Sequence, residues 1–67
     1  MKPLTFQQIE RVLASHGFRV ERSSGSHFIW RCEETGRSAV VPHHKGMLPI
    51  GTVLSVFRQA GIRRPPR

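Results

Sequence analysis

The sequence predicts an α+β protein of α-β-β-β-α order, a sandwich in which a three-stranded antiparallel sheet carries two helices on one face. Three observations predict it. Apolar stripes of helical period lie near each end of the chain, and three short stretches of strand-like alternation lie between them. Glycine, serine or proline breaks separate each element from the next.

The first helix is the best signposted. Thr5 and Gln8 have the spacing of a capping box, and Leu4 and Ile9 that of a hydrophobic staple. Phe6, Ile9, Val12 and Leu13 fall on one helical face. Gly17 supplies the left-handed residue that ends a helix, and Phe18 folds back onto the last turn. The expected helix spans 6–16. Residues 18–22 alternate apolar and charged as a half-buried strand does, and Ser23, Ser24 and Gly25 break the run. Residues 27–33, rich in aromatic and β-branched side chains, form the second strand. Glu34, Thr35 and Gly36 make a turn, and residues 37–42 form the third strand, closed by Pro42. A loop over 43–49 contains Gly46. Ile50, Val53, Leu54 and Phe57 then mark a second helix at 51–60, with Gly61 and Ile62 repeating the stop signal of Gly17 and Phe18. One unit over 1–62 is expected, followed by a basic, proline-containing tail at 63–67 expected to be disordered.

Two helices cover only one face of such a sheet. In the second strand, Phe28, Trp30 and Cys32 carry more apolar surface than His27, Ile29 and Arg31. The first set is therefore expected to face the helices, and His27 and Arg31 the open side.

Composition narrows the function. In 67 residues, eleven Lys and Arg stand against four Asp and Glu, a formal charge of +7. That density points to a polyanion as partner. So short a chain has little room for a deep cavity and is expected to bind on an open face or shallow groove. The single cysteine, Cys32, excludes an internal disulfide and fits a reducing, cytoplasmic setting. No apolar run reaches transmembrane length, and the N-terminus lacks the apolar core of a signal peptide. There is no phosphate-binding glycine motif, and Glu10, Glu21, Glu33 and Glu34 form no paired-carboxylate pattern.

Among the polar residues, four histidines can exchange a proton near neutral pH: His16, His27, His43 and His44. His27 opens a strand after a Ser-Ser-Gly-Ser run read as flexible, and Gly25 and Ser26 beside it leave room for a phosphate to approach. Arg22, Arg31 and Lys45 are the cations placed to contact phosphate near it. The bland alternative for His27 is an exposed polar residue on a strand. The 43–46 loop (His-His-Lys-Gly) reads as a phosphate-backbone contact; no histidine or cysteine pair has zinc-ligand spacing, so no metal or other cofactor is expected. His16 reads as a helix-terminal cap. Cys32 reads as a buried, inert thiol beside Trp30. Phe28 and Trp30 read as core in preference to base-stacking platforms.

These residues carry a resemblance. Gly25-Ser26-His27 followed by Phe28-Ile29-Trp30 resembles the G-S-H-x-x-aromatic signature of the HicA (YcfA-like) mRNA interferase toxins. Val41-Pro42-His43-His44-Lys45-Gly46 is similar to that family's V-P-x-H-K-G segment. Gly51-Thr52-Val53-Leu54, with Arg58-Gln59-Ala60-Gly61-Ile62, looks like its closing G-T-L…Q-A-G-I helix. The likeness runs from about Thr5 to Ile62. It implies a double-stranded-RNA-binding-domain-like fold, RNA cleavage, and inhibition by a HicB-like antitoxin that covers the basic face. It places the catalytic histidine at His27 and leaves Ser26, His44 and Lys45 beside it, with Arg22 and Arg31, as the expected RNA contacts. The family often has a second histidine at the following position, which is Phe28 here; alternation turns that position inward, so the change is not expected to abolish activity.

The expected chemistry uses the RNA's own 2′-hydroxyl as nucleophile, with His27 as base or acid and nearby cations stabilising the phosphorane. The free protein is expected to be a monomer, and a hetero-oligomer with its antitoxin. Two other readings stay open: a non-catalytic module that reads RNA duplex shape, and a DNA-binding protein, although the second helix offers only Arg58 and Gln59 for base contacts.

Overall fold

A computed structural model describes residues 3–63; the tail beyond 63 lies outside the described residues. The elements run β1 (Leu4–Thr5), α1 (Phe6–Ser15), β2 (Arg19–Ser24), β3 (His27–Cys32), β4 (Arg37–Pro42), β5 (Met47–Leu48) and α2 (Ile50–Ala60). Strands β2, β3 and β4 form an antiparallel meander with β3 in the middle. The architecture is the α+β order expected from sequence.

Helix α1 starts where its side chains provide for the free N–H groups. Thr5 Oγ1 accepts the Gln8 N–H at 3.1 Å, and Gln8 Oε1 accepts the Thr5 N–H at 2.8 Å. Replacing Thr5 with alanine removes one half of this box. We expect a loss of about 1 kcal/mol, read as a fall of about 4–8 °C in Tm for a domain of this size. Both helices end in the same way. The Phe18 N–H reaches Leu13 O at 3.0 Å past Gly17 (φ +87°), and the Ile62 N–H reaches Phe57 O at 2.9 Å past Gly61 (φ +75°). These are Schellman closures, which need a left-handed residue where only glycine is unstrained. His16 caps α1 as read from sequence, its Nδ1 2.8 Å from Val12 O.

One core joins the layers. Phe6, Ile9 and Leu13 of α1 meet Val53, Val56, Phe57 and Ala60 of α2 over Trp30 and Cys32 of β3 and Ala39 and Val41 of β4. The helix-facing set of β3 is thus the expected one: Trp30 and Cys32 are buried, and Phe28 is half-buried against Phe6, with ring centroids 5.5 Å apart. The buried Trp30 is core and not a stacking platform for bases. Helix α2 packs chiefly on β4, and the Val40 N–H on that strand donates to Gln59 Oε1 of α2 at 3.0 Å.

The structure corrects the sequence reading at several points. Strand β2 runs on to Ser24, so Ser23 and Ser24 are ladder residues and not a break. The loop over 43–49 contains β5, which pairs with β1 through Leu4↔Leu48 and Thr5↔Met47; two residues are too few to show periodicity. Helix α2 begins at Ile50, on Pro49 as N-cap, where the fixed φ of proline suits a helix start although it offers no side-chain cap. At the other boundaries, α1 ends at Ser15 and β3 at Cys32.

Candidate functional site

The candidate site lies on the open face of the sheet, at the end where β2 turns into β3. Ser24 pairs with His27, so only Gly25 and Ser26 connect the strands. Gly25 has φ +59°, while Ser26 keeps a negative φ, the pattern of a type II′ turn with glycine first. The Ser-Ser-Gly-Ser run is therefore a tight hairpin and not a flexible linker. A Cβ on Gly25 would meet nothing within 4 Å, so the turn beside His27 is open to an approaching backbone.

Ladder register fixes what shares that face, because directly paired residues project to the same side. The first row is Ser24, His27 and Pro42; the second is Arg22, Ile29 and Val40; the third is Arg19, Arg31 and Ser38. His27 is exposed in the first row. Simple alternation along 18–22 would set Arg22 on the side of Val20, toward the helices. A bulge at Glu21 changes this: Val20 pairs with Trp30 and Arg22 already with Ile29. The extra residue reverses the parity of the strand and brings Arg22 to the open face, a diagonal neighbour of His27 at about 7–8 Å.

Arg31 is less close. It lies two rows from His27, about 13 Å along the strand. It also faces Glu21, with Nε–Oε2 3.8 Å and both side chains nearly half exposed. Such an exposed pair is worth about 0–1 kcal/mol. It offsets the repulsion of the directly opposed Arg19 and Arg31 and leaves Arg31 free to exchange Glu21 for a phosphate. Arg22 is thus the open-face cation nearer His27, and Arg31 belongs to a more distant part of the same face.

Ser26, His44 and Lys45 are drawn to the His27 end. The His43 N–H donates to Ser26 O at 2.6 Å, which ties the 43–46 loop to the hairpin turn. The His43 ring then packs edge-on against Phe6 at 4.9 Å and tilted against Phe28 at 6.1 Å. His44 and Lys45 follow in this anchored loop and are exposed. Sequence reasoning gave His43 no structural part. Its partners lie far away along the chain, and no local spacing signals such contacts. Phe28 is one wall of this aromatic cluster.

Cys32 is buried at the far end of β3, its Sγ 3.8 Å from His16 O. Hydrogen bonds from the Thr35 side chain, and then from the Thr35 backbone, hold its thiol below the ordinary cysteine pKa. It is buried in the core and lies at the opposite end of β3 from His27. Among the described residues, no three His, Cys, Asp or Glu side chains gather as a metal-ligand set, and no helix is long and apolar enough to cross a membrane.

A strongly basic α-β-β-β-α sandwich, with an exposed histidine and cations on its uncovered sheet face, defines a module of the double-stranded-RNA-binding-domain-like class. Residues 6–62 match the family model described as the HicA toxin of bacterial toxin–antitoxin systems, so the chain belongs to the HicA toxin family. That membership gives it the role of a toxin and implies an antitoxin partner. A comparison with curated proteins found no match.

Proposed function

We propose that this toxin is a metal-independent endoribonuclease that cuts mRNA, with His27 as its catalytic acid–base residue. The observation that carries the reading is the exposed His27 ring on the open sheet face. It stands beside an unobstructed glycine turn, with Arg22 diagonal to it and the Lys45 loop tied to the same turn.

The chemistry needs no cofactor. The ribose 2′-hydroxyl loses its proton to a base as its oxygen forms a bond to phosphorus. The bond from phosphorus to the 5′-oxygen breaks, and that oxygen takes a proton as it leaves. His27 serves one of these two transfers. Arg22 and Lys45 offset the charge that gathers on the phosphoryl oxygens, Ser26 and His44 contact the backbone on either side, and Arg31 meets it farther along the sheet. The alternative, a module that binds RNA without cutting it, uses the same fold and charge.

The test is to incubate purified protein with RNA in the presence of chelator and map the cut ends. The expected products are 2′,3′-cyclic phosphate and 5′-hydroxyl termini. Ends bearing 3′-hydroxyl groups, or cleavage that appears only with added divalent metal, would overturn the mechanism. Intact RNA under all conditions would favour the non-catalytic module. Control by the antitoxin then amounts to covering the His27 face, in a cytoplasmic complex of a toxin that is monomeric when free.

A further inference from the structure

The helix side of the molecule carries a second basic feature that the reaction does not use. Arg37, Arg58 and Arg63 line a groove of about 380 Å³, floored by Leu54, Phe57 and Ile62. Gly61 helps build it. A Cβ there would lie only 2.7–2.9 Å from the Nε, Cδ and Cζ atoms of Arg37. The missing side chain lets the Arg37 guanidinium lie across the C-terminal end of α2, where the helix dipole favours a cation. No acidic residue lines the groove. Among the described residues, none of the three arginines has a carboxylate partner.

The groove continues into an apolar stripe. Ile50 and Leu54 of α2 are 40% and 41% exposed. They stand one turn apart and lead directly to Arg58, over about 12 Å or two helical turns. Beside them run Gly51 and Ser55, small residues that let another backbone come close.

We infer that this groove and the outer face of α2 form a docking site for an acidic, amphipathic segment of the antitoxin. Its carboxylates would pair with Arg37, Arg58 and Arg63, and its apolar side chains would cover Leu54 and Ile50. The inference rests on membership of a toxin–antitoxin system and adds where the partner is held. Two observations favour protein over RNA here. Arg37 pairs with Cys32, whose side chain is buried under the helices, so the groove opens on the face opposite His27, at the other end of β4. A strand of RNA crossing the open sheet does not reach it. An exposed Leu–Ile stripe also offers nothing to a phosphodiester backbone, whereas it is the usual companion of a helix laid in a groove. Anchoring is thereby separate from inhibition: one part of the antitoxin grips α2 while another masks His27.

The experiment compares the chain with its Arg58→Glu/Arg63→Glu variant, using the antitoxin encoded with it, purified separately, and a single-stranded oligoribonucleotide. Circular dichroism checks the fold. We expect antitoxin affinity to fall by about 10–100-fold, the loss of two charge-assisted pairs, while RNA affinity and cleavage stay within about twofold of the parent. Unchanged antitoxin affinity overturns the inference, and a parallel loss of RNA binding assigns the groove to RNA instead. Should the double variant unfold, amide-shift mapping of the unaltered chain with antitoxin decides. Shifts at Leu54, Arg58 and Gly61 support the site, and shifts confined to the His27 face overturn it. If the parent never cuts RNA, the nuclease reading fails while these affinities still answer the docking question.

Discussion

Replacing His27 with alanine is expected to cut the rate of RNA cleavage by about 10²–10⁴-fold, the contribution of one well-placed acid–base group. The fold is expected to survive intact. The side chain stands in solvent on the first row of the open face and takes no part in the core. RNA affinity should change little, because phosphate contacts rest on Arg22, Lys45 and their neighbours. The measurement pairs a single-turnover cleavage assay with a binding isotherm at fixed salt. A His27→Ala protein that cuts RNA at the parental rate would remove His27 from the reaction. One that loses binding in step with cleavage would make it a contact residue and favour the non-catalytic module.

The largest effect on stability is expected from Phe57→Ala. Phe57 is only 2% exposed and belongs to the α2 face that packs on β4 within the shared core. Truncating a buried phenylalanine costs about 3–5 kcal/mol. Small domains stand near the lower end of the usual 5–15 kcal/mol of total stability. The variant is therefore expected to be largely unfolded at 37 °C, and urea or thermal denaturation followed by circular dichroism reads this directly. A loss below about 1.5 kcal/mol would contradict the packing of α2 on β4 described above.

The parts of the fold that could be read from sequence were those whose causes are local. The Thr5–Gln8 box, the first helical stripe and the glycines at 17 and 61 each act within a few residues of themselves, and the structure realises them. Of the second stripe Val53 and Phe57 are buried, joined by Val56 and Ala60, while Ile50 and Leu54 lie exposed. The inward set Trp30 and Cys32 followed from bulk alone, which left His27 and Arg31 on the open side. What escaped depended on contacts between distant segments. Pairing of β1 with β5 joins Leu4 to Leu48, and His43 finds Phe6 and Phe28. The bulge at Glu21 escaped for a different reason. Phe18, Arg19, Val20, Glu21 and Arg22 alternate so regularly that nothing in the pattern announces an extra residue, yet that residue decides which way Arg22 faces. The candidate site was thus legible as a set of residue types near His27. The division between the nearer Arg22 and the more distant Arg31 became visible only with the register of the sheet.

The amide of Gln59 has a consequence for how this protein behaves among its own copies. A sheet ends in strands whose spare N–H and C=O groups invite another chain to zip on, the first step toward fibrous aggregates. On β4 the Val40 N–H is already occupied by Gln59, whose amide nitrogen is steadied by Ser55 Oγ at 3.3 Å. On β2 the irregularity at Glu21 spoils the flat template that zipping requires. Each border of the sheet thus carries its own guard against polymerisation, one a borrowed side chain and the other a deliberate flaw in the strand.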